Sequence, residues 1–255
     1  MIRYFIEKVH NRQAFIRPRI VICVPYGLTQ VERKAVRESA MSAGAREVYL
    51  VDEPMAAAIG VGLPVKEPQG NVVVDIGGGT TEIGVTSLGG LVISKSIRVA
   101  GDKLDNDIVN YVRKKYNLLI GERTAEDIKM QIGSAIKLDL PLSMTIKGRD
   151  QINGLLTTIE FTSEEMRDAI KDSLKVILDA VKLVLELMPP DLAGDVVENG
   201  IVLTGGGALL KGLDKYISEA VKLPVFVADE PLLAVVRGTS VVLEELDLLQ
   251  QISYE

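Results

Sequence analysis

The chain has 255 residues and a net charge of −6, with 47% apolar and 25% charged residues. These values are typical of a globular protein of one large or two ordinary domains, and the negative charge argues against nucleic acid as the main partner. A single cysteine, Cys23, fits a reducing compartment, and with the single histidine, His10, it excludes a structural zinc site. We expect no transmembrane helix, because no run of 18 apolar residues occurs, and no signal peptide, because no small-residue cleavage site follows a hydrophobic stretch near the N-terminus.

The apolar periodicity of the first quarter predicts alternating helices and strands. A helix that begins at Thr29 carries the capping-box pattern, since Glu32 follows three residues later. The predicted elements are a helix at 2–10, a strand at 19–24, the Thr29 helix, a strand at 47–51 and a helix at 54–62.

The remainder predicts strands linked by glycine turns, followed by helices. A second capping box at Thr162 begins a long helix that should stop at Pro189 and Pro190. The predicted elements are strands 72–76, 81–87 and 91–99, helices 103–117 and 124–135, a hairpin within 143–161, the long helix, strand 200–204, helix 207–220, strand 224–227 and helix 231–247. This order indicates an α/β fold, a mixed sheet with helices on both faces.

A glycine-rich turn in residues 72–86 is the first candidate site. Three β-branched residues lead into Asp75, and Gly77, Gly78, Gly79 and Thr80 form the turn before a second apolar run. Glycines let the backbone approach a polyanion, and a carboxylate at the end of a strand can hold a hydrated divalent metal beside phosphates. The alternative is a plain β-hairpin that binds nothing.

A second glycine-rich turn follows the apolar strand at 200–204. Gly205, Gly206 and Gly207 precede a predicted helix that carries Leu209 in its first turn. Strand, glycine turn and helix is an arrangement that packs backbone against a nucleotide, although a simple strand-to-helix connection is the alternative. The spacing matches neither the dinucleotide-binding fingerprint nor the P-loop.

Four motifs in order resemble the actin-like ATPase superfamily. Residues 72–86 resemble its second phosphate hairpin, 201–213 its adenosine loop, 51–60 its first connecting helix and 235–240 its second. Within the superfamily, the runs E-P-M-A-A-A-I-G, G-E-R-T-A-E and G-I-V-L-T-G-G-G resemble MreB, the bacterial shape-determining actins. The resemblance extends from residue 1 to about residue 247.

The resemblance implies an actin-like ATPase (ribonuclease H-like) fold of mixed sheets flanked by helices. Residues 1–66 would be the remainder of the first domain, 67–234 the second with a small inserted subdomain at 103–162, and 235–255 the second connecting helix and tail. The family begins with an Asp-Leu-Gly-Thr-like first phosphate loop, which nothing before Asp75 matches. We therefore expect an N-terminally truncated first domain, with weak or absent ATP turnover.

The resemblance also assigns ligands, ATP and Mg²⁺, to particular residues. Nucleotide contacts would come from both glycine turns, with Leu209, and from Gly101, Glu126 and Lys129; Asp75 would hold the metal through water. Glu126 and Lys129 lie three residues apart, so a surface ion pair between them is the alternative. Gly101 opens a helix whose first amides we expect to be free.

Glu53 is the candidate catalytic residue. It begins a helix after strand 47–51, where a carboxylate points out of the carboxyl end of the sheet, and in the resembling family this position orients the attacking water. The alternative is an acidic residue that merely complements the helix dipole.

A basic loop before the first strand exposes Phe15 and Ile16 between arginines. Such a loop suits an anionic membrane surface, and the corresponding loop of the family resembles a membrane-contact element. The alternative is that both side chains pack on the helix at 2–10.

The function implied is ATP-dependent assembly into filaments that determine rod shape by guiding cell-wall synthesis. Partners would be other copies of the chain, the inner face of the cytoplasmic membrane and wall-elongation proteins, with a cytoplasmic, peripheral location. Three alternatives remain: a sugar or acetate kinase of the same superfamily, a chaperone-type ATPase, and a non-functional truncated remnant. The kinase would need a substrate pocket, and 103–162 offers no evident one.

Overall fold

The computed structural model describes residues 2–9, 17–245 and 252. Its first part alternates helices with two strands, as the periodicity predicts, and the Thr29–Glu32 capping box is present at the start of the second helix. The elements are α1 (Ile2–Val9), β1 (Arg19–Val24), α2 (Gln30–Ser42), β2 (Glu47–Asp52) and α3 (Glu53–Gly60).

The second part contains the remaining strands and the longest helix, α6, which begins at the predicted capping box of Thr162 and Glu165. The elements are β3 (Asn71–Ile76), β4 (Thr81–Ser87), β5 (Gly90–Ile97), α4 (Gly101–Tyr116), β6 (Leu118–Leu119), α5 (Glu122–Ile132), β7 (Ser143–Asp150), β8 (Leu156–Thr162), α6 (Ser163–Leu187), α7 (Pro190–Asn199), β9 (Ile201–Thr204), α8 (Leu213–Val221), β10 (Val225–Val227) and α9 (Ala234–Glu244).

Five strands form the central mixed sheet, in the order β10-β9-β3-β4-β5. β3 pairs with β4 in antiparallel fashion and with β9 in parallel fashion, while β10 adds to β9 in parallel. Both β3 and β4 are buried along their whole length, and the apolar run Val72–Val74 of β3 fits a strand that is covered on both faces. β1 and β2 form a separate parallel pair, and β6, β7 and β8 a small antiparallel sheet.

Helices cover both faces of the central sheet. On one face, α4, α5, α6 and α8 pack on Val72, Val74 and Leu203 to form the larger apolar core. On the opposite face, Val73 packs with apolar residues of α3 and with Val242 of α9. The predicted α/β fold, mixed sheets flanked by helices, is therefore confirmed.

Helices α3 and α9 cross in direct backbone contact at two glycines. A Cβ on Gly60 would lie 1.7 Å from the carbonyl oxygen of Ala234, and one on Gly238 would lie 1.8 Å from that of Ala56. Neither position can hold a side chain unless the helices separate. The approach fixes α3 against the sheet.

The long helix stops before Pro189 as predicted, but the helix that follows it, α7, was not predicted; Pro190 occupies its first turn, where a missing N–H costs nothing. One predicted helix is also divided. The predicted helix 207–220 is broken into a 3₁₀ turn, Gly206–Leu209, and α8, since Gly212 adopts a left-handed φ of 71° between them.

We predict that Gly238→Ala destabilises the chain by at least about 3 kcal/mol, because its methyl group would overlap the backbone of α3. Gly194→Ala in α7 is the matched control, since a Cβ there meets nothing within 4 Å. The control should gain roughly 0.5–1 kcal/mol from better helix propensity. Urea unfolding of both variants measures the difference, and similar free energies of unfolding would contradict the close crossing.

Candidate functional site

The first glycine turn joins β3 to β4 and is held by α4. The Gly77 amide donates to the Thr80 carbonyl at 2.9 Å, which closes the turn. The amides of Gly101 and Asp102 donate to the carbonyls of Gly77 and Gly78, at 3.1 and 2.8 Å. The expectation of free amides at the start of α4 is therefore wrong, because the carbonyls of the turn take them. Gly78 and Gly79 remain exposed.

The second glycine turn lies directly beside the first. Because β3 and β9 are parallel with Asp75 opposite Thr204, both strands end at the same level. The Thr204 hydroxyl donates to Oδ1 of Asp75 at 3.1 Å. Gly205 has a φ of +78°, and a Cβ there would lie 2.6 Å from Asp75 Oδ1 and 2.4 Å from the Ile76 carbonyl oxygen. Only glycine fits between the two turns.

Three carboxylates meet on the face of the sheet that α3 covers. Asp75 and Glu82 are register partners in β3 and β4, so their side chains share that face. The first turn of α3 lies on the same face, because a Cβ on Gly84 would lie 2.7 Å from Cβ of Pro54. This packing brings Glu53 over the other two acids.

Burial shifts the pKa of each of these carboxyls upwards. Burial raises the pKa of Glu53 to about 7, and the negative charges of Glu82, Asp75 and Asp52 add to the shift. Burial also raises the pKa of Asp75, with the Thr204 bond opposing the shift. The neighbouring carboxylate of Asp52 forms an ion pair with the Arg33 guanidinium at 2.9 Å.

Glu82 was missed by the sequence analysis. It is 1% exposed, and its carboxylate accepts hydrogen bonds from the Ser96 hydroxyl at 2.6 Å and the Tyr26 amide at 3.4 Å. Burial raises its pKa, although these bonds and one from the Thr80 side chain oppose the shift. Its position seven residues after Asp75, across a hairpin turn, is the signal that could have identified it.

Lys129 of α5 reaches the first turn of α4, but its partner is not Glu126. Its ammonium donates to Asp105 Oδ2 at 2.8 Å and to the Gly101 carbonyl at 3.2 Å. Glu126 is exposed nearby, close enough for its charge to raise the pKa of Asp105. The surface pair between Glu126 and Lys129 is therefore not formed, and Asp105 is a second residue that the sequence analysis missed.

The remaining predicted positions differ in exposure. Gly206 is exposed, Gly207 is packed so that a Cβ would lie 2.2 Å from Cγ2 of Ile76, and Leu209 is 55% exposed on the 3₁₀ turn. The membrane-contact candidates Phe15 and Ile16 lie outside the described residues.

The described side chains and helices bear on metal binding and on membrane insertion. The described residues contain no group of three or more histidine, cysteine, aspartate or glutamate side chains that could hold a metal ion. Among the helices in residues 2–9 and 17–245, none combines the length and apolar character needed to span a bilayer.

Comparisons with known proteins agree with one another. The sequence model of the MreB/Mbl protein family matches residues 1–251. The cell shape-determining protein Mbl of Bacillus cereus is 48% identical over 249 residues, which cover 98% of this chain and 75% of that protein. The cell shape-determining protein MreB of Escherichia coli is 51% identical over 250 residues, covering 97% of this chain and 72% of that protein.

Solved structures give the same result. MreB5 of Spiroplasma citri, crystallised with ADP, superposes with a TM-score of 0.90 at 38% identity, covering 98% of this chain and 76% of that one. The same protein was also crystallised with AMPPNP. The MamK double helical filament superposes with a TM-score of 0.81 at 21% identity, covering 96% of this chain and 74% of that one, and shows the shared fold.

We predict that Glu53→Gln stabilises the chain at high pH. Because burial raises the pKa of Glu53 from 4.5 to about 7, the folded state binds this proton more tightly than the unfolded state. The free energy of unfolding therefore falls as the pH rises between these values, and the substitution removes that loss. After screening at a half-buried site, we expect a Tm about 2–4 °C above wild type at pH 8.

The gain should vanish at about pH 3.5, roughly one unit below the ordinary pKa of 4.5, where the carboxyl is largely protonated in both states. Glu164→Gln, an exposed acid in the first turn of α6, is the control for losing a helix N-terminal charge. The test is thermal unfolding of both variants at these two pH values. An increase in Tm of equal size at both would contradict the prediction, because it would show that ionisation of Glu53 does not destabilise the folded state.

Proposed function

Because the chain belongs to the MreB/Mbl family, we propose that it is an actin-like cell shape-determining protein that binds ATP with Mg²⁺ between its two glycine turns and assembles into filaments. The observation that carries this proposal is the parallel pairing of β3 with β9, which sets Gly205 against Asp75. The nucleotide-bound structures of the Spiroplasma protein support it.

The phosphates would lie on the first turn. Gly78 and Gly79 are exposed there, and a Cβ on Gly79 would meet nothing within 4 Å, so backbone amides at the tip are open to a polyanion. Gly101, Glu126 and Lys129 would contact the sugar and base, with the second turn, Gly205 to Gly207 and Leu209, on the other side.

Asp75 suits a magnesium ion that arrives with the nucleotide. Mg²⁺ keeps several waters and binds through one or two carboxylates together with substrate phosphates. The described residues form no complete protein cage, and Asp75 is a nearly buried carboxylate at the junction of both turns. It would therefore hold the hydrated ion through water.

Glu53 would orient the water that attacks the terminal phosphate. Hydrolysis of the β–γ bond depends mainly on positioning and on stabilising charge, and a general base works best with a pKa near the working pH. The pKa of Glu53, raised to about 7, meets that condition.

Self-assembly, membrane contact and wall synthesis complete the proposal. The filament of MamK supports assembly of this fold into filaments. We place the chain in the cytoplasm, peripheral on the inner face of the cytoplasmic membrane, where it would guide cell-wall synthesis. Phe15 and Ile16 would contact lipid, and α1 exposes further apolar surface nearby in sequence at Tyr4 and Phe5, which are 60% and 52% exposed.

We predict that Gly79→Val weakens ATP binding at least tenfold, about 1.4 kcal/mol, because a branched side chain would occupy the space of the phosphates. The Tm should change little, since the site has room for a Cβ. Gly90→Val, at the first residue of β5, is the matched control, as the nearest neighbour of a Cβ there is 3.8 Å away. Calorimetric titration with ATP and Mg²⁺ measures both; equal affinities in the two variants would place the nucleotide elsewhere.

We predict that Phe15→Asp with Ile16→Asp abolishes binding to anionic liposomes. Each large apolar side chain contributes roughly 1.5–3 kcal/mol when buried in lipid, and each nearby arginine about 1 kcal/mol near anionic headgroups. Filaments should bind more firmly than monomers through multivalency, and salt should weaken binding.

The control for this test is Leu155→Asp with Leu156→Asp, a neighbouring pair that is 66% and 87% exposed at the β7–β8 hairpin. Cosedimentation should be lost only in the first double variant. Loss in the control alone would move the membrane contact to the hairpin.

A further inference from the structure

Asp105 in α4 is a buried carboxylate with only one of its oxygens in use. The residue is 8% exposed, and Oδ2 accepts from the Lys129 ammonium at 2.8 Å. Oδ1 is buried and has no hydrogen-bond partner within the described part of the chain. Such half-satisfied groups are uncommon in folded proteins and call for an explanation.

Stability does not explain this carboxylate. An unsatisfied buried oxygen opposes folding, and burial raises the pKa of Asp105, which the Lys129 bond only partly offsets. The charges of Glu126 and Asp102 raise the pKa further. The fold alone therefore gives no reason for one oxygen of Asp105 to be buried without a partner.

The position of Lys129 gives the explanation. Its ammonium lies 3.2 Å from the Gly101 carbonyl oxygen, and the Gly101 amide in turn donates to the Gly77 carbonyl of the first glycine turn. An ammonium has three protons, and the contacts with Asp105 and Gly101 use two of them. The third is available to a ligand on the first turn.

We propose that Asp105 is a positioning residue for nucleotide binding: it holds the flexible Lys129 side chain so that the ammonium meets a hydrogen-bond acceptor on the nucleotide. This inference rests on the proposed ATP site. Without the charge-assisted bond, the four-carbon side chain of Lys129 is free to turn towards water, and the nucleotide must order it on binding.

The test is a double-mutant cycle read by calorimetric titration with ATP and Mg²⁺. Asp105→Asn keeps the shape but removes the charge, and we expect about tenfold weaker binding. The amide oxygen can still accept from Lys129, so the variant should stay folded at the titration temperature, which its Tm checks. Lys129→Met should weaken binding at least as much. Because Asp105 acts through Lys129, the double variant should bind no more weakly than Lys129→Met alone.

Asp107→Asn is the control, since Asp107 lies two residues further along α4 but pairs with Lys103 of the same helix and with the Ser173 hydroxyl of α6. It should keep wild-type affinity. Additive losses in the cycle, or a loss of affinity that follows a fall in Tm, would make Asp105 a structural residue and overturn the proposal. If Asp105→Asn binds ATP as tightly as the wild type, the role proposed for Asp105 is wrong but the ATP site stands. If the wild type does not bind ATP, the proposed ATP site is wrong as well.

Discussion

The parallel pairing of β3 with β9 is the constraint on which the site depends. In that register Asp75 lies opposite Thr204, so two segments more than a hundred residues apart end at one level of the sheet. Both strands must then turn in the same small space, and Gly205 permits this close approach because it adopts a positive φ. The contacts of α4 with the first turn and the packing of α3 above the sheet add to this arrangement but do not create it.

Glu53, Asp75 and Glu82 share one surface of the sheet, which we call the acidic face. Burial raises the pKa of all three residues. Glu82 is held by neutral donors, which relieve part of its desolvation but none of the repulsion between the acids. Clusters of buried carboxyls with raised pKa values are typical of functional sites, where a bound ligand can supply a compensating positive charge. A metal ion that enters with a nucleotide would do so here.

Much of the fold, including the two glycine turns of the candidate site, followed from the sequence because it depends on local signals. Continuous apolar runs, capping boxes and glycine turns identified the buried strands, α2, α6 and both candidate loops. Asp105 and Glu82 were not found, since each matters only through a partner from another element. The helix start at Gly101 was misjudged for a related reason: whether an amide is free depends on which carbonyls the fold brings to it.

The glycine crossing of α3 and α9 has an effect at a distance. Gly60 ends α3 and Glu53 begins it, so one short, stiff helix of eight residues, about 12 Å long, joins the crossing to the acidic face. A side chain at the crossing would tilt this rod, and its far end would carry the carboxylate away from Asp75. A side chain at Gly60 or Gly238 would therefore disturb the position of Glu53 as well as the packing of the two helices, although neither glycine touches the candidate site.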